Sequence, residues 1–338
     1  MGMPFVSANP EIHPERPVFC SILANTLLST VPGISGAGPT PEKTLYTPIL
    51  DAELIADGSI TSMPVKPNTP TGCPTPASIT RAMMELTGLS PLFINAGLAY
   101  RPTVPCLDVY GVPGDDPRFG DAVPAAEALF ARGESLGSFL GRAADLLVLG
   151  ECVPGGTTTS LCVLRALGYP ARVSSSYIEN PVSMKEEVWR IVSGRIAESG
   201  ISSPLDAVRV GGDPMIAVGA GIVSGFPGHL ILAGGTQMLS VAAVMKAMGR
   251  PVPRIATTCY VRDDPSANFE ETAGRIGAEV YYIDPEFGDL GHAGLARYCI
   301  GEVKEGMGAG GAMLLAWLLG FTPVAIRGKI LEFARVYS

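Results

Sequence analysis

The segment GECVPGGTTTS, residues 150–160, combines residue types that can bind an anion. It follows an apolar run and precedes an apolar helical pattern, so its glycines lie at a strand-to-helix turn. Such a turn presents backbone N–H groups and the positive end of a helix dipole at the carboxyl edge of a sheet, where phosphate is favoured. The residues expected to contact the anion are Gly155, Gly156, Thr157 and Thr158. The alternative is an ordinary glycine turn with threonine as the helix cap, and the missing Lys excludes a Walker loop.

A carboxylate, Glu305, comes directly before a glycine-rich turn and a second apolar helical pattern. If this carboxyl group is buried, its pKa rises towards the value that a general base needs. The alternative is that Glu305 only interacts with the positive end of the helix dipole. Gly306, Gly308 and Gly311 formally match GxGxxG, but no acidic ribose-binding residue follows at the required distance, so no dinucleotide site is predicted.

Two further glycine pairs are candidates for close backbone approach to a ligand. They are Gly211–Gly212 and Gly234–Gly235. The second pair follows an apolar strand pattern and is followed by Thr236 at the start of a helical pattern. Close packing between helices and strands is the alternative for both pairs.

Other motifs argue against hydrolase and metal chemistry. Residues 133–137 match GxSxG, but the preceding residues predict a helix, whereas a nucleophile elbow needs a strand there. The three histidines, His13, His229 and His292, have no metal-ligand spacing. Seven cysteines without a CxxC pair favour free thiols over disulfides or a zinc site. We therefore expect no metal and no cofactor.

Composition limits the possible partners and location. The chain has 24 basic and 32 acidic residues, a net charge of −8, which argues against a nucleic-acid partner. Its 47% hydrophobic and 17% charged content excludes a disordered chain. The N-terminal residues lack the cationic start and apolar core of a secretory signal, so we expect a cytoplasmic protein.

Two stretches without Asp, Glu, Lys or Arg, residues 214–245 and 306–326, are long enough to be considered as membrane spans. Glycine and proline interrupt both stretches, as in the strands and small-residue helices of a buried α/β core. We therefore expect no membrane partner. An integral membrane protein is the alternative interpretation.

Short apolar runs alternate with helical patterns along the chain and predict buried parallel strands. The runs are 17–23, 91–95, 145–149, 229–233, 255–261 and 279–283. Ser183 with Glu186 predicts a capping box, Gly200 the end of that helix, and Ser203–Pro204 the start of the next. A proline-rich loop is predicted over 61–80. The alternation predicts an α/β fold with a doubly wound, mostly parallel, Rossmann-like sheet and a smaller, partly helical cap.

Four of these segments, in this order, resemble the nicotinate-nucleotide:dimethylbenzimidazole phosphoribosyltransferases of cobalamin assembly, in a divergent archaeal-type branch. The segments are GECVPGGTTTS (150–160), GGDPMIAVGAGI (211–222), ILAGGTQ (231–237) and EGMGAGGAM (305–313). The resemblance covers about residues 145 to 320. Gly156 stands where the bacterial enzymes have Asn, and residues 1–120 match the family poorly.

The resemblance implies transfer of a phosphoribosyl group from nicotinate mononucleotide to dimethylbenzimidazole, giving α-ribazole phosphate and nicotinate. Glu305 would be the general base that removes the azole proton, and Glu151 would bind a ribose hydroxyl or stabilise the cationic sugar. No metal or cofactor is implied. The implied substrate-binding residues are Gly155, Gly156, Thr157, Thr158, Gly211, Gly212, Gly234, Gly235, Thr236, Gly306 and Gly308.

The expected organisation has three parts. Residues 1–120 form strands and an irregular cap that contribute to the sheet and the base pocket, residues 121–325 form the core phosphoribosyl-binding region, and residues 326–338 form a C-terminal segment. The expected partners are small molecules, nicotinate mononucleotide and a benzimidazole-type base, and the family suggests a homodimer. The alternative function is a non-catalytic sensor that binds a nucleotide or phosphosugar.

Overall fold

A single parallel sheet of seven strands organises the protein in a computed structural model, which describes residues 3–337. The strands are β1 (Pro17–Ala24), β2 (Leu92–Gly97), β3 (Leu107–Asp108), β4 (Leu146–Cys152), β5 (His229–Ala233), β6 (Arg254–Thr258) and β7 (Val280–Ile283). Their order in the sheet is β3-β2-β1-β4-β5-β6-β7, and every neighbouring pair is parallel. From β1, the chain adds β2 and β3 towards one edge of the sheet. It then places β4 on the other side of β1 and adds β5, β6 and β7 towards the opposite edge. The sheet is therefore doubly wound, with its switch point between β1 and β4.

Helices connect the strands and cover the sheet. They are α1 (Thr47–Asp57), α2 (Pro76–Thr87), α3 (Ala126–Leu140), α4 (Gly156–Ala166), α5 (Val182–Ser199), α6 (Pro204–Gly211), α7 (Pro214–Gly225), α8 (Thr236–Ala247), α9 (Cys259–Arg262), α10 (Phe269–Ile276), α11 (Ala293–Ala296), α12 (Ala309–Leu318) and α13 (Pro323–Val336). Short 3-10 turns occur at Leu27–Thr30, Glu42–Tyr46, Phe287–Asp289 and Arg297–Ile300.

Both faces of the sheet are buried. In β1, Ile22 packs into one core with α3, α4, α7 and α8, whereas Leu23 packs into the opposite core with α1, α2, α12 and α13. All seven residues of β4 are buried. A strand covered on both faces needs apolar side chains at successive positions, which explains why the strands read as continuous apolar runs. The predicted doubly wound α/β fold is confirmed.

The predicted strands match the observed ones to within two residues, except that β4 continues three residues further, to Cys152, and β6 ends three residues earlier. The run 255–261 was expected to be extended throughout, but β6 ends at Thr258 and residues 259–262 form α9. The strand β5 ends at the level of Ala256 and β7 at the level of Thr258, since Ala233 pairs with Ala256 and Ile283 pairs with Thr258. Residues beyond Thr258 therefore have no strand to pair with. The two-residue strand β3 was not predicted, because it is short and exposed.

Helix boundaries correct two local predictions. The Ser183–Glu186 capping box is wrong, because α5 begins after Pro181 without a side-chain cap and Ser183 lies inside the helix. Gly200 ends α5, as predicted, and a capping box is formed instead by Ser203 with Asp206 at the start of α6. The loop predicted over 61–80 ends at residue 75, because α2 begins at Pro76. A proline is compatible with the first position of a helix, where the backbone N–H that it lacks would have no partner within the helix.

The two charge-free stretches become several short elements. Residues 214–245 contain α7, β5 and most of α8, and residues 306–326 contain α12 and the start of α13. Across residues 3–337, no helix combines the length and the apolar content needed to span a membrane.

The GxSxG match belongs to a helix packing site. Ser135 lies within α3, so no strand precedes it. Gly133 and Gly137 of the motif pack against the backbone of α7, and Gly221 of α7 packs in return against the carbonyl oxygen of Phe130. Side chains at these positions would overlap backbone atoms, so the two helices approach as closely as they do because the residues are glycines.

We expect Gly221→Ala to lower the free energy of unfolding by about 1–3 kcal/mol, because the added methyl group overlaps the Phe130 carbonyl oxygen. Gly194→Ala in α5 is the matched control, since nothing lies within 4 Å of its added Cβ. This control should raise stability by roughly 0.5–1 kcal/mol through helix propensity. Urea unfolding measures both changes, and equal effects at the two positions would contradict the close-packing account.

Candidate active site

A cavity of about 980 Å³ lies at the carboxyl edge of the sheet, beside the switch point between β1 and β4. Its walls come from loops that follow β1, β4 and β5, from the segment before α12, and from the proline-rich loop before α2. Open α/β sheets bind ligands in the crevice at such a switch point. The size and position of the cavity are those of a small-molecule site.

Eight of the predicted site residues line this cavity, although they are more than 150 positions apart at the extremes. They are Glu151, Gly155, Gly156, Thr157, Gly235, Thr236, Glu305 and Gly306. Three separate glycine-rich segments therefore meet at one site, as expected from their positions at strand ends.

Five predicted residues do not line the cavity: Thr158, Gly211, Gly212, Gly234 and Gly308. Thr158 is fully buried inside α4. An added Cβ on Gly211 would lie 2.9 Å from the Cys162 Cβ, and one on Gly212 would lie 2.8 Å from the Val208 carbonyl oxygen. These contacts favour the packing interpretation for this pair.

The remaining two glycines lie directly behind the cavity wall. An added Cβ on Gly234 would lie 3.4 Å from Glu151 Oε1, so the missing side chain leaves room for that carboxyl group. Gly308 has φ 73° and packs against Gly150 of β4 at the start of α12. Gly234 therefore leaves room for Glu151, and Gly308 allows α12 to begin close to β4.

Glu305 is held by backbone N–H groups at the junction of β6 and α12. Its carboxylate accepts from Thr258 at 3.1 Å, from Gly306 at 3.1 Å and from Gly310 at 3.2 Å. Burial raises the pKa of Glu305 to about 7, and these N–H groups oppose the rise. Glu305 thus contacts the N-terminus of a helix and also faces the cavity, with a pKa suited to proton transfer near neutral pH.

The backbone around Glu305 is strained. Val303, Lys304 and Met307 have φ values of 66°, 65° and 50°, in the left-handed region that non-glycine residues rarely adopt. Each such residue costs about 1–3 kcal/mol and persists only where surrounding contacts hold it, and such residues cluster at functional sites. Here the buried Lys304 ammonium group provides such a contact, donating to the Ser175 carbonyl oxygen at 2.7 Å.

Glu151 lies at the end of β4 and is only 3% exposed. Its carboxyl group accepts a hydrogen bond of 2.8 Å from Gln237 Nε2. Burial, with the negative charges of Asp213 and Glu305, raises the pKa of Glu151 to about 8. Near pH 7 the site therefore favours one protonated and one ionised glutamate, because ionising both places two like charges in a buried space.

A cluster that contains two buried lysines adjoins the cavity and was not predicted. Lys185 donates to the Ser174 carbonyl oxygen at 2.5 Å, and Lys304 lies 3.4 Å from the Asp264 carboxylate. Burial lowers the pKa of Lys185 to about 7 and also lowers the pKa of Lys304. Of these residues, Ser174 and Lys304 line the cavity. The position of Lys304 next to Glu305 is the one feature of the sequence that could have indicated this cluster. Its other members, Lys185, Ser174 and Asp264, are distant from Lys304 in the sequence.

The proline-rich loop is fixed by a carboxylate near each end. Glu302 accepts from Thr69 at 2.6 Å and from Thr71 at 2.5 Å, and it pairs with Arg297. Glu53 accepts hydrogen bonds from the Thr61 and Ser62 backbone N–H groups. This loop carries cavity-lining residues from 63 to 71, so both contacts shape the cavity although neither was predicted.

The described residues contain no group of three or more His, Cys, Asp or Glu side chains placed to hold a metal ion. The seven cysteines are free, and only Cys299 is exposed. The site described above is therefore built from carboxylates, lysines, hydroxyls and backbone N–H groups.

Two solved structures share this fold. The nicotinate-nucleotide-dimethylbenzimidazole phosphoribosyltransferase of Thermus thermophilus matches with a TM-score of 0.61 and 16% identity, covering 95% of this chain and 84% of that chain. A structure of CobT from the same organism matches with a TM-score of 0.60 and 17% identity, covering 94% and 84%. At this identity the similarity establishes the fold.

The chain belongs to the UPF0284 family. It is 44% identical over 336 residues to the UPF0284 protein of Methanosarcina mazei, covering 95% of both chains. It is 43% identical over 327 residues to that of Thermococcus gammatolerans, covering 94% of this chain and 97% of the relative. No family model matches the chain. These archaeal relatives and the transferase fold confirm the resemblance indicated by the sequence.

The raised pKa of Glu151 predicts how stability depends on pH. A carboxyl group whose folded pKa is raised from 4.5 to about 8 contributes stability that is present below pH 4.5 and lost as the pH rises through 8. The unchanged protein should therefore lose free energy of unfolding as the pH rises from 5 to 8.5, whereas Glu151→Gln should not. Over this range the free energy of unfolding of Glu151→Gln should rise by roughly 2–4 kcal/mol relative to that of the unchanged protein. Denaturant unfolding at several pH values measures this gain.

Glu53→Gln is the matched control, because Glu53 is also a buried glutamate but has its pKa lowered by hydrogen bonds from Thr61 and Ser62. The contribution of Glu53 to the free energy of unfolding is fully present above its unfolded pKa and is lost only at lower pH. The difference between Glu53→Gln and the unchanged protein should be constant from pH 6 to 8.5. A Glu151→Gln curve parallel to that of the unchanged protein would contradict the assigned pKa.

Proposed function

We propose that this protein is a pentosyltransferase that moves the phosphoribosyl group of nicotinate mononucleotide to 5,6-dimethylbenzimidazole or a related base. The products are nicotinate and α-ribazole 5′-phosphate, used in cobalamin lower-ligand assembly. The observation that carries the proposal is that Glu151 and Glu305 share one cavity with the Gly155–Thr157 turn. The Thermus thermophilus enzyme with this fold is named for the same two substrates.

The transfer exchanges one nitrogen for another at the anomeric carbon. The lone pair of one azole nitrogen forms the new bond to this carbon, while the bond to the pyridine nitrogen breaks and its electron pair leaves with nicotinate. The proton on the other azole nitrogen passes to the Glu305 carboxylate. A pKa of about 7 leaves Glu305 ionised in part of the molecules at neutral pH and basic enough to accept the proton.

Glu151 acts on the sugar in this proposal. Glu151 lines the cavity, and one oxygen of its carboxyl group accepts a hydrogen bond from Gln237 Nε2. In protonated form it donates to a ribose hydroxyl, and in ionised form it stabilises the positive charge that develops on the ring as the leaving group departs. Its pKa of about 8 places both forms within reach near neutral pH.

The 5′-phosphate is proposed to lie at the start of α4. Gly155 has φ 81°, and Thr157 lines the cavity in the first turn of the helix. The N–H groups of Gly156 and Thr158 donate to Val153 and Gly155 carbonyl oxygens, so the phosphate would use the helix dipole and the Thr157 hydroxyl. Lys304 and the exposed Lys43 and Lys66 add positive charge to the cavity lining.

The organisation expected from the sequence is retained in the proposal. Residues 121–325 supply the phosphoribosyl side, and residues 1–120 supply apolar walls for the base, including Leu50, Ile60 and Met63. The reaction needs no metal or cofactor in this scheme. A cytoplasmic homodimer, implied by the resemblance, stays a prediction.

The direct test is to incubate the protein with nicotinate mononucleotide and dimethylbenzimidazole and to measure nicotinate release and the new nucleotide. We expect Glu305→Gln to lower kcat by about 100-fold or more with a small change in KM, because the amide cannot accept the azole proton. The kcat/KM of the unchanged protein should fall about tenfold per pH unit below the Glu305 pKa of about 7. Glu305→Gln should lack this dependence.

Glu127→Gln serves as the control, since Glu127 is exposed on α3 and does not line the cavity. Activity unchanged by Glu305→Gln would remove Glu305 as the base. Tight binding of nicotinate mononucleotide without any product, with every azole tried, would contradict the transferase and support the sensor alternative.

A further inference from the structure

One buried carboxyl group in the cavity has no role in the scheme above. Asp51 lies on α1, is 8% exposed and lines the cavity. Nothing in the sequence distinguishes it, because it lies within an ordinary helical pattern in the first third of the chain.

Asp51 differs from other buried carboxylates of the protein in the quality of its hydrogen bonds. It accepts from Thr75 Oγ1 at 3.3 Å and from Cys152 Sγ at 3.8 Å, both of them long contacts from weak or distant donors. By contrast, Asp213 accepts from Thr159 at 2.5 Å, and Asp264 accepts from Ser174 at 2.5 Å. A buried carboxyl group with weak partners is costly, so its position on a cavity wall indicates that a ligand completes its hydrogen bonding.

The position of Asp51 relates it to the base side of the site. Thr75, which contacts Asp51, is followed by Pro76, whose ring lies 3.3 Å from where a Cβ of Gly306 would be. The Gly306 N–H donates to the Glu305 carboxylate. Asp51 and Glu305 are therefore linked through adjacent residues of one wall. The cavity lining also includes the apolar residues Leu50, Ile60, Met63 and Met307, together with Cys152, which contacts Asp51.

We propose that Asp51 hydrogen-bonds a polar substituent on the ring of the acceptor base, so that the site selects a benzimidazole-type azole bearing a hydroxyl or amino group over one bearing a methyl group. This inference rests on the proposed function and narrows its acceptor. A methyl group placed against the carboxyl group would bury it without a partner, whereas a hydroxyl or amino group supplies one.

The protonation state of Asp51 fits either substituent. Burial raises the pKa of Asp51 to about 7, against the lowering effect of its contacts with Thr75 and Cys152. Near neutral pH the group is thus available as an acceptor when ionised and as donor and acceptor when protonated. It can pair with an amino group, which mainly donates, or with a hydroxyl group, which does both.

The test compares 5-hydroxybenzimidazole with 5-methylbenzimidazole, which differ only by a hydroxyl in place of a methyl group. Calorimetry measures the Kd of each base for the full-length protein, without requiring turnover. We expect the unchanged protein to bind the hydroxyl compound about 10- to 100-fold more tightly. Asp51→Leu and Asp51→Ala should each abolish or reverse this ratio, and Asp51→Asn should retain part of it because the amide donates and accepts.

Asp57→Asn is the control on the same helix, because Asp57 is exposed and does not line the cavity. The ratio of the two affinities for Asp57→Asn should equal that of the unchanged protein. A ratio unaffected by Asp51→Ala or Asp51→Leu, or tighter binding of the methyl compound by the unchanged protein, would overturn the inference. Nicotinate release is measured separately: its absence with both bases contradicts the proposed function, whereas the affinity ratio decides the role of Asp51.

Discussion

Burial of both faces of the parallel sheet is the constraint on which the rest of the structure depends. Because α1, α2, α12 and α13 cover one face and α3, α4, α7 and α8 cover the other, polar side chains from the central strands reach a ligand only at the carboxyl edge. Glu151 lies at this edge on β4. Glu305 is held at the same edge by a hydrogen bond from the backbone N–H of Thr258, the last residue of β6. The covered sheet explains both the apolar composition of the chain and the concentration of its chemistry in one cavity.

Holding two carboxyl groups in this cavity has an energetic consequence. Burial raises the pKa of Glu151 to about 8 and that of Glu305 to about 7, so the ionised forms are disfavoured in the folded protein. Strained backbone at Val303, Lys304 and Met307 adds to the cost. Close packing elsewhere, as between α3 and α7, offsets these terms. This distribution is typical of active sites, where local stability is lower because groups are held ready for reaction.

The sequence predicted the fold and the glycine-rich part of the site for a simple reason. Strand ends and glycine turns are local features, and the parallel topology brings all carboxyl ends to one edge. Glu151, Gly155 and Glu305 could therefore be expected to meet before any contact was known. The strand 255–261 was predicted too long, since the point at which β6 ends depends on where β5 and β7 end.

Residues joined by long-range contacts could not be predicted in this way. Asp51 is placed by Thr75 and Cys152, and the loop around Thr69 is placed by Glu302, which is 233 positions away. Gly211 and Gly212 differ from these residues, because their sequence resembles a ligand loop whereas their surroundings are packed side chains and backbone, as the packing alternative expects. A glycine pair alone does not distinguish these cases.

A crystal structure with nicotinate mononucleotide and a benzimidazole bound tests the central claim most directly. The account predicts the phosphate at the Gly155–Thr157 turn, the ribose beside Glu151, and an azole nitrogen within hydrogen-bonding distance of the Glu305 carboxylate. Binding of both molecules outside the cavity would contradict it. So would a bound azole that leaves Glu305 with only its backbone partners Thr258, Gly306 and Gly310.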